Sequence, residues 1–201
     1  MPPNLQYLQN VTIIDLGDTR DSMAAKKMTD SFFIRGRVNA GNSNVQGITT
    51  VDLGAYVDAL GQSVLRIHNI AVEVADVDGG TITMVASSSG SLRVALTTSY
   101  PSAALTSPIL SDNGTIATGH LVARNDQLTA EVAGFVADDF DQMDQHWTNG
   151  YLVATDNIYL SGIGSTGFNE DLYVSVCLEC TVEKMDERAA ISLALSQSQN
   201  Q

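Results

Sequence analysis

Strict alternation of apolar and polar residues over positions 171–183 is the clearest pattern in the chain. The even positions in this stretch hold apolar side chains: Leu172, Val174, Val176, Leu178, Cys180 and Val182. Successive side chains of a β-strand point to opposite faces, so this alternation predicts a long strand with one face buried in a core. The other face, mainly polar, is predicted to contact water or a partner.

Shorter runs predict further strands along the middle of the chain. They lie at 33–38, 48–57, 65–74, 82–84, 92–98, 116–123, 128–136 and 151–160. Within 65–74 the apolar positions change parity between Ile67 and Ile70. We therefore predict a β-bulge near His68 and Asn69, because one extra residue returns both apolar sets to the same core. In total the chain is predicted to contain eight to ten strands.

Turn residues separate these runs at short intervals. They fall at 78–80, 89–90, 112–114, 148–150 and 162–167, and each segment contains glycine. Many short strands without intervening helices favour an all-β fold, an antiparallel β-sandwich or jelly roll. No linker divides residues 32–183, which we therefore treat as one β-sandwich (jelly-roll) domain.

The two ends of the chain differ from this middle part. Residues 1–31 form a predicted N-terminal arm, with a short helix possible over 22–28. Residues 184–201 are predicted to contain a short C-terminal helix followed by a polar tail. Asp186 is the expected N-cap of that helix. The tail, residues 196–201, has the composition of a disordered segment.

Length and composition are compatible with one large domain. The chain has 201 residues, of which 44% are hydrophobic, and its mean hydropathy is +0.03. A chain of this size buries about 70% of its surface on folding, so its core needs neither disulfides nor metals. No stretch of 18 residues is predominantly apolar, and we expect no transmembrane segment. The first residues, Met1–Asn4, lack the basic-then-apolar pattern of a signal peptide.

Acidic residues dominate the charge of the chain. Asp and Glu number 23 against 10 Lys and Arg, a formal net charge of -13, and residues 111–180 hold eleven acids and one base. Phosphate contacts need Lys and Arg, so this acidic surface is not expected to bind nucleic acid directly. Arg35 and Arg37 lie on one face of a predicted strand, where they could bridge to carboxylates of an adjacent subunit. The alternative is that they are ordinary surface charges.

The glycine motif at 162–167 and the three histidines suggest a binding or catalytic site, but each lacks the neighbouring residues that such a site needs. Gly162–Gly167 matches G-x-G-x-x-G, but a dinucleotide site needs a helix start directly afterwards, and here a strand pattern follows. We predict a flexible hairpin loop instead. His68, His120 and His146 are dispersed and lack metal-ligand spacing. A triad formed in space with Ser or Asp remains possible from the sequence alone.

Four aspartates crowd into one short segment: Asp138, Asp139, Asp141 and Asp144. Calcium prefers several oxygen ligands of this kind. The spacing does not match an EF-hand, since the required glycine and the final glutamate are missing. The segment is therefore either a solvated acidic loop or a calcium-binding loop, and the sequence leaves both open.

Cys177 and Cys180 form a single Cys-x-x-Cys pair. A structural zinc site needs a second pair of ligands. Both cysteines lie in the long strand pattern, three residues apart, so their side chains should point to opposite faces and a local disulfide is geometrically poor. We predict packing roles for both, and we assign no catalytic, cofactor-binding or metal-binding residue in the chain.

Trp147 is a candidate for ligand contact of another kind. With His146 beside it and Tyr151 nearby, it could form a stacking platform for sugars, as in jelly-roll lectins. The alternative is that these aromatic side chains pack in the core or at an interface.

The strand pattern over 32–183, the flanking arms, the uneven charge and the many small residues in 87–107 occur together without a recognisable active site. In these features the chain resembles the single-jelly-roll capsid proteins of icosahedral viruses, those of archaea or bacteria. The resemblance implies a major coat subunit located in the virion, which is not an enzyme and has no cofactor. It also implies assembly with copies of itself or with a sister capsid protein, the arms clasping neighbours.

Two other function classes remain open from the sequence. One is a different assembly protein, such as a phage decoration or tail component or an extracellular filament subunit. The other is a carbohydrate- or calcium-binding β-sandwich module. The sequence leaves open the host, the capsid symmetry, the partner proteins and the strand order.

Overall fold

The computed structural model describes residues 26–101, 108–138 and 147–198. These residues form antiparallel strands and one helix at the C-terminal end. The elements are β1 (Lys26–Lys27), β2 (Phe32–Gly41), β3 (Gly47–Asp52), β4 (Ser63–Ala75), β5 (Thr83–Met84), β6 (Ser88–Thr97), β7 (Thr115–Asn125), β8 (Glu131–Val132), β9 (Phe135–Asp138), β10 (Tyr151–Val153), β11 (Asn157–Gly164), β12 (Leu172–Lys184) and α1 (Glu187–Ser198).

Two sheets carry the core of the protein. The first has the order β2-β12-β4-β10, with β1 pairing β12 next to the end of β2, and the second has the order β3-β11-β6-β7-β9. Apart from the short strands β1 and β9, the two sheets contain eight strands, which in chain order are β2, β3, β4, β6, β7, β10, β11 and β12. Numbered one to eight in that order, the first, eighth, third and sixth form one sheet, and the second, seventh, fourth and fifth form the other. This is the strand order of a jelly roll, two interleaved Greek keys. The predicted antiparallel β-sandwich of jelly-roll type is therefore confirmed.

Strand β12 lies in the middle of the first sheet, between β2 and β4. The side chains at its even positions are all buried in the core between the sheets: Leu172, Val174, Val176, Leu178, Cys180 and Val182. The alternation in the sequence therefore predicted both the strand and its buried face correctly. Since β12 pairs along both edges, it fixes the register of the whole first sheet.

The predicted bulge in β4 is also present. Glu179 of β12 lies opposite Asn69, whereas Cys180, the next residue, lies opposite Ile67, so His68 is the extra residue of β4. The apolar side chains on both sides of the bulge are buried: Leu65, Ile67 and Ile70. The bulge thus brings two sets of opposite parity into one core.

Several predicted boundaries are wrong. The turn predicted at Ser89–Gly90 lies inside β6. An added Cβ at Gly90 would lie 2.7 Å from the ring of the fully buried Phe168, so this glycine leaves room for core packing. The run at 128–136, predicted as one strand, holds the short strand β8 and only the first two residues of β9, which continues to Asp138.

The single strand predicted at 151–160 is wrong for a topological reason. Its first part, β10, pairs with β4 in the first sheet, whereas β11 pairs with β3 and β6 in the second. The chain crosses from one sheet to the other at Ala154–Asp156. Both parts bury apolar residues in the same core, so their hydrophobic pattern is continuous although their hydrogen bonding is not.

The flexible loop predicted at Gly162–Gly167 is wrong for its first residues, because Gly162 and Gly164 belong to β11. No helix follows them, and the next regular element is β12. An added Cβ at Gly164 would lie 2.0 Å from the carbonyl oxygen of Gly41, and one at Gly162 would lie 2.7 Å from Ala40 Cβ. These glycines permit close approach of backbones rather than binding of a phosphate.

The helix predicted over residues 22–28 is wrong for its described part. Lys26 and Lys27 form β1, with Lys26 opposite Lys184 and Lys27 opposite Glu183 of β12. The backbone pairing extends the first sheet past the end of β2. Residues 1–25 lie outside the part of the chain that the structure describes.

The C-terminal helix is present and longer than predicted. It begins after Asp186, whose carboxylate accepts a hydrogen bond from the backbone N–H of Arg188 at 3.2 Å, as expected of an N-cap. The helix continues to Ser198, so the prediction of a disordered tail is wrong for Ser196–Ser198. Residues 199–201 are not described.

Gln197 explains why the helix extends into the polar tail. Its side chain is buried, with its Oε1 accepting a hydrogen bond from the N–H of Ala154 at 2.9 Å and its Nε2 donating to the carbonyl of Leu152 at 2.6 Å. The hydroxyl of Thr98 donates to the Gln197 carbonyl at 2.9 Å. The described part of the C-terminal segment therefore packs on its own sandwich.

Replacing Gln197 by alanine is expected to lower the free energy of unfolding by about 2 kcal/mol, because a buried N–H and a partly buried carbonyl lose their partner. Urea unfolding followed by circular dichroism measures the loss. Ser196→Ala is the matched control, since Ser196 is exposed and its hydroxyl bonds only within the helix, to the carbonyl of Leu193. Equal losses in the two variants would show that the contacts of Gln197 with Leu152 and Ala154 contribute little.

Candidate assembly surfaces

The described residues that could carry catalytic or metal chemistry are not clustered. His68 lies at the bulge of β4 and its Nε2 is 2.9 Å from the hydroxyl of Thr181, whereas His120 lies on β7 in the second sheet. Over residues 26–101, 108–138 and 147–198, no group of three or more His, Cys, Asp or Glu side chains could hold a metal ion. His146 lies outside the described residues.

The acidic segment is described only at its beginning. Asp138, the last residue of β9, is exposed. Asp139, Asp141 and Asp144 lie outside the described residues, so the choice between a calcium-binding loop and a solvated loop stays a prediction.

Trp147 packs rather than presenting a free face together with Tyr151. The two rings lie 5.5 Å apart between centroids, and both side chains are partly buried against the main core. Burial raises the pKa of the Tyr151 hydroxyl, and a side-chain hydrogen bond with Gln197 lowers it to a smaller extent. These contacts favour core packing over a sugar-stacking platform.

Cys177 and Cys180 point to opposite faces of β12, as predicted, and both are free thiols. Cys180 is fully buried in the core. Burial, with smaller contributions from Cys177 and Glu179, raises the pKa of the Cys180 thiol to about 12. Cys180 therefore stays protonated near neutral pH, while Cys177 lies half-buried on the outer face of the first sheet.

That outer face has an unusual composition at its centre. Arg35 of β2 lies opposite Cys177, which lies opposite Ala71 of β4, and in the next row Arg37, Ser175 and Glu73 are aligned in the same way. Small side chains in the middle of these rows leave a shallow depression of about 440 Å³. The two arginines lie along one side of it. We call this surface the arginine face and define it by the following residues: Phe33, Arg35, Arg37, Ala71, Glu73, Ser175 and Cys177.

The two arginines of this face differ in their contacts. The guanidinium of Arg37 donates to the carbonyls of Asp76, at 3.0 Å, and Val77, at 2.8 Å, and lies 4.4 Å from the ring centroid of Tyr173. Arg37 is therefore held within its own subunit. The ion pairs among the described residues do not include Arg35, whose guanidinium is 5.9 Å from the ring centroid of Phe33.

Phe33 adds an apolar component to the arginine face. Its side chain is 58% exposed, which is high for a phenylalanine on a sheet. An exposed aromatic ring beside an exposed arginine is typical of protein interfaces, where both residue types are enriched. The exposed basic group also contrasts with the net charge of -13 of the whole chain.

A second surface lies beside helix α1. A groove of about 660 Å³ runs between the helix, the β10–β11 connection and the end of β6. Two leucines of its lining are strongly exposed, Leu60 at 76% and Leu195 at 58%, and Tyr100 and Tyr159 meet edge to face at 5.3 Å between ring centroids. Sequence reasoning missed this groove, because its aromatic and apolar residues come from four separate parts of the chain.

A third surface is the edge of the second sheet. Strand β9 is the last strand of that sheet and pairs with β7 along one side. Val136 is 47% exposed, and Asp138, two residues further on, is also exposed. Val136 lies opposite Ala123 and Asp138 opposite Leu121, both buried in the core, so these two side chains share the inner face of the second sheet and are exposed because they lie at its edge.

Helix α1, with 12 residues, is the only helix in the described part of the chain. The structure therefore shows, over the residues it describes, no helix that is long and apolar enough to cross a membrane. No family model matches the chain. No curated protein matches it either.

Two solved structures illustrate what the fold is similar to. One is an unassembled VP1 pentamer of Washington University polyomavirus, an arginine-to-lysine variant, with 10% identity, a TM-score of 0.37, and coverage of 82% of this chain and 97% of that one. The other is the tailspike protein gp49 of the Acinetobacter baumannii bacteriophage Fri1, a capsular polysaccharide depolymerase, with 15% identity and a TM-score of 0.16. This chain is covered to 69% in that match but spans about a fifth of the tailspike, 21%. Both TM-scores are below 0.5, so neither similarity assigns a function to this chain.

Proposed function

We propose that this protein is a structural subunit that assembles with copies of itself, and specifically a major coat subunit of an icosahedral virus of archaea or bacteria, located in the virion. The observation that carries the proposal is the arginine face. An exposed Phe33 and an Arg35 without an ion-pair partner among the described residues lie on the outer face of the first sheet. Such a surface fits an acidic protein partner, and the chain itself is strongly acidic.

The jelly roll gives this proposal a physical frame. Both sheets bury their inner faces in one continuous core, so the outer faces and edges are held in fixed positions without help from a partner. Jelly rolls are common in viral shells, but the fold occurs with other functions too. The proposal therefore rests on the surfaces that the fold presents.

Burial of exposed apolar side chains supplies the driving force for assembly. Stable interfaces bury about 1,600 Å² in total, with apolar side chains at the centre and charges at the rim. Phe33 on the arginine face and the two leucines beside α1, Leu60 and Leu195, are suitable apolar centres. The arginine face and the groove beside α1 lie on different parts of the sandwich, as a subunit with several neighbours requires.

In this proposal the chain has no catalytic role and no cofactor. Its net charge of -13 opposes direct contact with nucleic acid, so packaging of a genome would involve other surfaces or another protein. A sister capsid protein is compatible with the same surfaces.

Light scattering coupled to size-exclusion chromatography, followed by electron microscopy, tests the proposal. We expect the 201-residue chain to form species far larger than its 21.4 kDa monomer as its concentration rises, and to form closed particles. Open filaments would instead support an extracellular filament or tail component. A protein that remains monomeric at high concentration, at both low and high salt, would contradict self-assembly.

A further inference from the structure

We propose that the groove beside α1 is the binding site for residues 5–16 of the same chain. The contact is internal to one copy, so it goes beyond the proposed assembly and does not depend on it. It identifies an apolar surface of the sandwich, the segment that fits this surface, and the connection that brings the two together.

The groove offers apolar contact and almost no charge. Two of its lining residues, Leu60 and Leu195, are exposed to 76% and 58%. Among the described residues that line it, Asp156 is the only one with a charged side chain. Its volume of about 660 Å³ is typical of clefts that bind a ligand mainly through apolar contacts. An occupant is therefore held by its apolar side chains rather than by its charge.

The chain enters the described structure close to this groove. Lys26 lies opposite Lys184 of β12, and Lys184 in turn lies opposite Ser63 of β4. Neighbouring strands are about 4.8 Å apart, so Lys26 and Ser63 are separated by about 10 Å. Leu60 belongs to the turn that the bridge between Asp58 and Ser63 closes. Lys26 is therefore near the side of the groove that carries Leu60.

The direction of β1 also points to the groove. Because β1 is antiparallel to β12, the backbone at Lys26, followed towards the N-terminus, points to the end of the sheet where β12 continues into α1. At this end Met185 donates its N–H to the carbonyl of Gln62 at 2.8 Å, which holds the start of the helix next to the turn that carries Leu60. Both this turn and α1 contribute residues to the lining of the groove.

The sequence before Lys26 contains an apolar stretch and a polar connection. Seven of the twelve residues in 5–16 are aliphatic or aromatic: Leu5, Tyr7, Leu8, Val11, Ile13, Ile14 and Leu16. Residues 17–25 are mainly polar or small. An extended connection from Leu16 to Lys26 spans up to about 33 Å, which is enough to reach across the turn at Leu60.

The short connection favours the segment of the same copy over that of a neighbour. A short linker gives an effective concentration of about a millimolar, which exceeds the concentration of neighbouring copies in dilute solution. Burial of Leu60 and Leu195 against the apolar side chains of residues 5–16 supplies the driving force. A neighbour that packs on these two leucines during assembly therefore has to displace the segment.

Thiol labelling of the 201-residue chain tests this contact. Ser198→Cys introduces a thiol into the lining of the groove while both leucines stay in place, and peptide mass spectrometry follows its reaction with N-ethylmaleimide. At a concentration where the chain is monomeric, replacing Ile13 and Ile14 together by aspartate is expected to speed the reaction at least about tenfold, because the thiol reacts only in molecules whose groove is open. An unchanged rate would overturn the proposal.

Two controls separate coverage of the groove from general effects. Thr19→Asp together with Ser22→Asp adds the same charge within residues 17–25 and should leave the reaction at position 198 unchanged. Ser91→Cys introduces a thiol at an exposed position of β6 outside the groove, where the substitutions of Ile13 and Ile14 should have no effect. An equal increase with the charges in 17–25 would contradict binding through the apolar stretch. Urea unfolding of each variant shows that the sandwich remains folded.

The same measurement identifies two other occupants. A reaction at position 198 that slows as the protein concentration rises would place a neighbouring copy in the groove, and it would overturn the assignment to the same chain. A faster reaction with Leu105→Asp, and none with the aspartates at 13 and 14, would assign the groove to residues 102–107 instead.

These outcomes are independent of the proposed function. A chain that never assembles contradicts the proposed function, while the difference in labelling is still measured on its monomer. A chain that assembles, but whose labelling rate does not respond to the substitutions of Ile13 and Ile14, contradicts only the contact between residues 5–16 and the groove.

Discussion

Replacing Glu183 by alanine is expected to lower the free energy of unfolding by about 4 kcal/mol, because it leaves the charge of Arg66 without its carboxylate in a largely buried site. The two side chains form a double hydrogen bond, Nε to Oε1 and Nη2 to Oε2, both at 2.7 Å. Their side chains are only 16% and 8% exposed. Arg66 also donates to the carbonyl of Asn149, so the pair joins β4, β12 and the turn before β10.

Urea unfolding of the variant measures this loss, with an exposed ion pair as its control. Arg124 and Asp126 form a bond of 2.6 Å, but their side chains are 64% and 69% exposed. Asp126→Ala is expected to cost less than about 1 kcal/mol, because water already screens that pair. If both variants lost the same small amount, the bond between Arg66 and Glu183 would not contribute as its burial suggests.

Replacing Gly164 by alanine is expected to cost about 3 kcal/mol, the upper end of the range for overpacking, because the clash is with backbone. The new Cβ would lie 2.0 Å from the carbonyl oxygen of Gly41 and 3.0 Å from its carbonyl carbon. Neither atom can move aside without separating β11 from the end of β2. Thermal and urea unfolding of the variant, compared with the wild type, measure the effect.

Gly134→Ala is the control for this glycine. No atom lies within 4 Å of the position of its Cβ. We expect the variant to be as stable as the wild type or more stable by up to about 1 kcal/mol, since alanine restricts the unfolded chain. A Gly164→Ala variant of wild-type stability would show that β11 tolerates a side chain at this position.

The two predictions concern the contacts that hold the arginine face in place. Arg66 and Glu183 tie the first sheet together beyond the bulge at His68. Gly164 lets β11 of the second sheet pass close to the end of β2, the strand that carries Phe33 and Arg35. Loss of these contacts would shift the arginine face relative to the rest of the sandwich, so these variants are expected to impair the proposed assembly indirectly as well.

The sequence by itself was enough to predict one strand, one bulge and the orientation of the two cysteines. The alternation over 171–183 determined that β12 exists and which of its faces is buried, because burial of one face of a strand requires a period of two. The parity change between Ile67 and Ile70 determined the bulge at His68 for the same reason. The separation of Cys177 from Cys180 onto opposite faces is another consequence of this period.

The candidate surfaces were only partly predictable. The sequence placed Arg35 and Arg37 on one strand face, but it could not show that Arg37 is held by the carbonyls of Asp76 and Val77. Those contacts depend on residues that are distant in the chain. The exposure of Val136 and Asp138 likewise depends on β9 being the last strand of its sheet.

Local pattern and composition thus determined the strands, the buried faces, the N-cap at Asp186 and the excess of negative charge. Only the tertiary structure decided that residues 151–160 divide between two sheets, that Gly164 packs against Gly41, and that Gln197 belongs to the sandwich. The physical reason is that the pattern of apolar and polar residues reflects which side chains are buried. Which strands and side chains come into contact is set instead by the topology of the fold. In a jelly roll most partners are far apart in sequence, and nothing in the residues of one strand specifies which other strand will lie beside it.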